Sequence, residues 1–351
     1  MRVPVMRGPV SGALLEVLTQ APDTAGPALE GLETLVVRQL AEAGDIIADE
    51  DIQLALFCLY ELYYSGLDGV SDSWEWEPAL IRLRRLIEEP FEAALRTAAH
   101  EAAAGVELPE ETAMTSDAVA DVLFGLAATD TGPSVSRFVA RKATLDQLKE
   151  FLVHKSVYQL KEADPHTWAI PRLSGRPKAA LVEIQADEYG GGRPERMHSA
   201  LFARTMRGLG LDDSYGAYLD TVPAISLASV NLMSLCGLNR RLRGAITGHL
   251  AIYEMTSSHP NRFYGNGFRR HGFGPDITHY FDEHVEADAV HEQIAGRDLA
   301  GGLVEAEPEL LEDVLFGATA AMAIDSRLSS HLMSCWEAGQ TSLRADTPAA
   351  A

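Results

Sequence analysis

A chain of 351 residues with 46% hydrophobic side chains has material for one large or two modest domains. Its formal net charge of -22 repels phosphate backbones and anionic headgroups, which removes nucleic acid and membrane surfaces from the expected partners. Ala, Leu and Glu dominate and β-branched runs are few, so the fold class expected is all-α.

In chain order, residues 1–27 are rich in Pro, Gly and Thr and read as an irregular arm. Helical spacing appears twice over 28–66. It appears again over 77–104, with a bend or break expected at Pro90. Cys58, and further on Cys236 and Cys335, are far apart and form no C-x-x-C, so each reads as a small buried hydrophobe and not as a disulfide or thiolate ligand. Punctuation by Gly, Pro and Thr between 105 and 133 marks a soft boundary. The units expected are 1–130, 131–340 and a disordered tail over 341–351.

A long helix is expected from about Ser134 to Ala163, stopped by Asp164-Pro165. Shorter helices follow near 179–189 and 194–206, separated by Gly190-Gly191-Gly192. Apolar helices are expected at 221–236, 239–257, 275–296 and 308–336. The Gly-, Pro- and Asn-bearing run Ser257–Gly267 reads as a loop and a candidate lid. No apolar stretch reaches the ~18 residues of a membrane span, and no signal-peptide core follows Arg2 and Arg7, so a cytoplasmic protein is expected.

Chemistry concentrates in the second half. His284-x-x-x-Asp288-x-x-His291 has spacings of four and three, which stack two imidazoles and a carboxylate on one helical face. That set suits iron or zinc, although the neighbouring Glu283, Glu286 and Glu292 also fit a solvated stripe. Glu254 lies among Thr247, Leu250 and Ala251, where burial is costly without a cation or an arginine such as Arg240, Arg241 or Arg243. Glu188 precedes the triple glycine and His198 follows it. Glu195 forms a single E-x-x-H with His198 and competes with Glu188 for the same role. Glu162, one turn after Tyr158, completes an inventory of three histidines and four carboxylates, which is the donor set of a dinuclear non-haem iron site.

In order and spacing, Glu162, Glu188 and His198, Glu254, and then His284, Asp288 and His291 resemble the ligand pattern of the haem-oxygenase-like diiron oxidases and oxygenases, the iron-containing redox enzymes. The resemblance spans about 135–335. It implies a haem-oxygenase-like bundle of about seven helices with an N-terminal helical extension that assists homodimer formation. It also implies two iron ions, O2 as co-substrate and a small amine-, guanidine- or carboxylate-bearing substrate oxidised by N-oxygenation or C–C cleavage. An external electron donor belongs to the same picture. Tyr158, Tyr253 and Tyr280 are candidate supports of the ligands. Asn231, Arg262 and Tyr264 are candidate substrate contacts, and Arg269 and Arg270 join the other arginines as candidate carboxylate clamps. The alternative is a haem-binding or non-catalytic metal-binding protein of the same fold; the haem form would need one axial histidine and none of the carboxylates.

Overall fold

Helices of a soluble protein normally bury one apolar stripe, and a helix that is apolar on all sides has to sit inside others. Two such helices organise this chain. They appear in a computed structural model that describes residues 1–104, 115–129 and 134–344, with only the backbone of 286–289. Among the described residues every regular element is helical. The N-terminal part supplies α1 (Pro9–Leu18), α2 (Gly26–Glu42), α3 (Glu50–Glu61) and α4 (Pro78–Ala102). Next come α5 (Ser116–Ala128), α6 (Val135–Arg141), α7 (Leu145–Gln159), the single turn α8 (Asp164–Thr167), α9 (Gly175–Glu188), α10 (His198–Gly208) and α11 (Ala224–Leu238). Then α12 (Arg243–Arg270) packs against α13 (Pro275–Gln293), a π-helical stretch Ile294–Gly301 leads into α14 (Gly302–Ala306), and α15 (Leu311–Glu337) closes the bundle.

The two wholly embedded helices are α3, buried continuously from Ile52 to Glu61, and α11, buried from Ala224 to Asn231 except Ser229 and from Leu232 to Gly237. They pack on each other. One core cluster runs from Val10 to Trp336, so the N-terminal helices and the later ones share it. Among the described residues no helix is long and apolar enough to cross a membrane.

Several element expectations are corrected. The arm over 1–27 contains α1, started by Pro9 at its first turn. Pro90 does not break α4, because packing of Ile87, Phe91 and Leu95 holds the helix through it. The single helix expected over 134–163 is two, because Thr144 ends one run and caps the next: its hydroxyl accepts from Gln147 N at 3.2 Å, and its N–H donates to Gln147 Oε1 at 2.9 Å. Ser257–Gly267 is not a loop but the continuation of α12. Its glycines face neighbours closely, Gly265 toward Phe281 and Gly267 toward Val139, so tertiary packing overrides a turn-like composition. Within the tail, Ser342 Oγ donates to Glu150 at 2.6 Å and Arg344 N donates to Thr221 O at 2.8 Å. Residues 345–351 lie outside the described residues.

Candidate metal centre

Five elements converge on one buried spot. Glu162 sits in the turn after α7, Glu188 is the last residue of α9, His198 the first of α10, Glu254 lies mid-way along α12, and His284 and His291 share one face of α13. Glu188 and His198 are brought together by the glycine run, whose three members all have positive φ, from +60° to +79°. At Gly190 a Cβ would also meet the backbone of Arg196 and Met197 at 2.6 Å, so only glycine fits both the angle and the space.

The side chains form two groups, Glu162–His198–His284 and Glu188–Glu254–His291, and in each group three donor atoms lie within 4.8 Å of one another. His284 Nε2 is 3.6 Å from Glu162 Oε1, and His291 Nδ1 is 3.7 Å from Glu254 Oε2. Glu188 Oε2 lies 3.0 Å from His198 Nδ1, which joins the two groups.

The supports of these donors are visible. His284 Nδ1 donates to the Tyr280 carbonyl at 2.8 Å, which leaves Nε2 facing Glu162. His291 Nε2 pairs with Asp187 Oδ2 at 3.0 Å, which leaves Nδ1 facing Glu254. Tyr280 Oη donates to the Glu162 carboxylate at 2.9 and 3.0 Å. Carbonyl or carboxylate partners on the far nitrogen are what fix the tautomer of a metal-binding imidazole.

Burial opposes charge at both Glu188 and His198, and their mutual attraction outweighs it. Glu188 is held well below the usual carboxylate range, and His198 is pushed up. Burial raises Glu254 against the pull of His291. Burial would lower His291, but the Glu254 and Asp187 carboxylates carry it up to about 9. A proton is thus held where a cation would otherwise sit, and metal binding would displace it.

These residues fit a metal. Among the described residues, no Lys or Arg lies within ion-pair distance of Glu162, Glu188 or Glu254. Three carboxylates gathered at one largely buried site are costly without a cation. The Nδ1 atoms of His198 and His291 are buried without an aligned hydrogen-bond partner, and such an orphan calls for an explanation.

A cavity of about 200 Å³ opens onto the cluster, small beside the ~300–1,000 Å³ of drug-sized ligand pockets. Glu162, Glu188, Glu254 and His284 line its floor. Phe151, Phe202, Leu250, Tyr264, Phe281 and Met322 form apolar walls, and Lys155 and Asp325, 3.8 Å apart, stand at its partly exposed end.

Of the remaining residues singled out in the sequence, Tyr158, Tyr253 and Tyr264 line the cavity, as do Thr256, Ser257, Pro260 and Asn261 of the run expected to be a lid. Glu195 is exposed on a short turn and in neither group. Asn231 is not at the cavity: it is buried between helices, donating to Gln53 O at 2.9 Å and Gln53 Oε1 at 2.8 Å. Arg262 is exposed and outside the cavity lining. Arg241 pairs with Glu92, Arg243 with Glu307 and Arg269 with Asp282, while Arg270 donates to the Ala143 carbonyl and Arg240 lies in a separate groove beside α4. The side chain of Asp288 lies outside the described residues. The sequence reading missed Asp187 as the partner of His291, and Lys155, Phe151, Phe202, Met322 and Asp325 as cavity residues. Asp187 stood next to a candidate ligand, but the cavity residues carry no local signal.

The iron-containing redox enzyme family matches residues 149–326, a segment that contains every candidate ligand. The chain is 27% identical over 209 residues to a nitrosourea synthase of Streptomyces achromogenes subsp. streptozoticus; the aligned region is 58% of this chain and 44% of that protein. The chain therefore spans under half the length of this curated relative. Because the matched family segment takes in just over half of the sequence and the whole buried cluster of carboxylates and imidazoles, the chain belongs to the iron-containing redox enzyme family.

Proposed function

We propose that this protein is a non-haem diiron oxidase or oxygenase that uses O2 to oxidise a small amine-, guanidine- or carboxylate-bearing metabolite. The observation that carries this reading is the pair of carboxylate–imidazole groups joined at Glu188, four of whose members, Glu162, Glu188, Glu254 and His284, line one cavity. Glu162, His198 and His284 would hold one ion, and Glu188, Glu254 and His291 the other. Asp288, on the same helical face by its spacing, is assigned to the second set from sequence alone. Two ferrous ions, when bound, supply the reduction of O2 that no side chain performs.

The protein's own share is orientation and exclusion. Tyr280 steadies the Glu162 carboxylate, and its backbone carbonyl and Asp187 fix the imidazoles of His284 and His291. The aromatic and aliphatic walls hold the substrate over the floor and keep bulk water out. A nitrosourea contains an oxidised nitrogen, so the relative's name favours nitrogen oxidation over C–C cleavage as the chemistry to test first. The electron donor, a second protein or a small reductant, is part of the proposal, and so is a homodimer.

Metal stoichiometry after anaerobic Fe(II) loading tests this reading. The native chain should hold two irons, and Asp288→Ala clearly fewer; O2 uptake should then depend on an added amine or amino acid. Background iron in both chains removes the reading. A Soret band in the purified protein would replace it with the haem alternative.

A further inference from the structure

Lys161 is a cation enclosed by protein: its side chain is 4% exposed, and its partner Glu61, at the end of α3, is 0% exposed. Its Nζ donates to Glu61 Oε2 at 3.1 Å and packs over the rings of Tyr64, Phe57 and Tyr215 at 4.1–5.3 Å. Tyr215 Oη donates to the same Glu61 oxygen at 2.8 Å, and Ser65 N–H donates to the other at 3.2 Å. A buried ion pair is weak evidence of added stability, because desolvation offsets most of its attraction. What such a pair does provide is a fixed position.

The position fixed here is next to the metal centre. Glu162 follows Lys161 directly, and Ala163 follows with φ +76°, in the left-handed region that a non-glycine residue adopts only under strain. Such a backbone persists only where its surroundings over-determine it. Gln185 Nε2 donates to Ala163 O at 2.9 Å, Tyr189 Oη donates to Asp164 at 2.8 Å, and Lys161 anchors the turn on its other side.

We propose that Glu61 is a positioning residue for the metal centre, and that α3 fixes, through Lys161, the turn that presents Glu162. This rests on the reading of Glu162 as a ligand. It makes the N-terminal helices part of the scaffold of the site, although they lie outside the family's matched segment.

Anaerobic titration of the full chain with Co(II), followed by d–d absorption and calorimetry, tests the proposal. The native protein should bind two ions, and Glu162→Ala and Glu254→Ala, each removing one step, assign them. Glu61→Gln keeps the shape and removes the counter-charge. The step assigned to Glu162 should weaken about tenfold or more, as outer partners of metal ligands typically do, with the Glu254 step unchanged. Glu61→Gln combined with Lys161→Met leaves no buried charge uncompensated but still lacks the link from α3 to the turn, so the step should stay weak; recovery would trace the effect to an unpaired charge and overturn the proposal. Folded Glu61→Gln protein that binds both ions as the native chain does overturns the proposal. Should Glu61→Gln not fold, Tyr215→Phe carries the test, since it removes one hydrogen bond and no charge. A weaker Glu162 step at unchanged Tm then supports the proposal, and unchanged binding overturns it. A native chain that binds no Co(II) fails differently, because it removes the metal-centre reading and this inference with it.

Discussion

Gly190 concentrates several constraints in one residue. Its φ of +68° and the 2.6 Å approach of the Arg196–Met197 backbone both exclude a side chain, and the turn it makes sets Glu188 against His198. Gly190→Ala should cost about 2 kcal/mol or more, from the left-handed strain plus the displaced backbone. The loss is read by urea unfolding, and the 3.0 Å approach of His198 to Glu188 should be lost with it. His154 makes the residue-scale case for pH. Buried between Ser226 and Ser342, which lie 2.8 and 2.9 Å from its two ring nitrogens, it is held down at about 3 first by desolvation and then by His331 and Lys155. Its folded value lies below the unfolded ~6.5. Its contribution is therefore complete above that pH and is lost as pH falls from there toward 3, by up to about 1.4 kcal/mol per unit. Urea midpoints between pH 6.5 and 5 should fall more steeply in the native chain than in His154→Gln, and parallel slopes would contradict this. The two cases also show what sequence makes legible. His284 and His291 announce themselves because helical periodicity alone puts them on one face. Asn231 was misread as a substrate contact because its partner, Gln53, is 178 residues away, and no local pattern encodes that pairing.

The elements that carry these residues are placed by contacts that look like weakness in a sequence. Gly248 of α12 lies against the carbonyl of Val314, and Gly317 of α15 against the carbonyl of Ala245, so the two helices cross at backbone contact. Gly→Ala inside a helix ordinarily stabilises by roughly 0.5–1 kcal/mol. Gly317→Ala should do the reverse, destabilising by about 2 kcal/mol or more, since a methyl group there overlaps a carbonyl that cannot move without parting the helices. Equilibrium unfolding checks the sign, which matters more than the size. The same logic explains the run 257–267. Gly, Pro and Asn suggested a loop, yet α12 runs on through them, with Gly265 packed close to Phe281 of α13 and Gly267 to Val139 of α6. The all-helical class and most helix centres were legible from composition and apolar spacing. Helix ends and the role of small residues were not, because both depend on neighbours distant in sequence.

At the scale of the whole molecule, the core is one body, and α3 and α11 are its two embedded members. That enclosure has a consequence in time. The helix is apolar all round, from Ile52 through Leu54, Leu56 and Phe57 to Leu59, and its packing partner α11 begins at Ala224. During synthesis roughly 160 residues separate the two, which at ~5–20 residues per second is about 8–32 s. Through that interval α1 and α4 can pack on α3, but the face that α11 covers has no partner. Ribosome-stalled chains ending near residue 200 should be cut rapidly within α3 by a protease. Chains long enough to free α11 and α12 from the exit tunnel should resist.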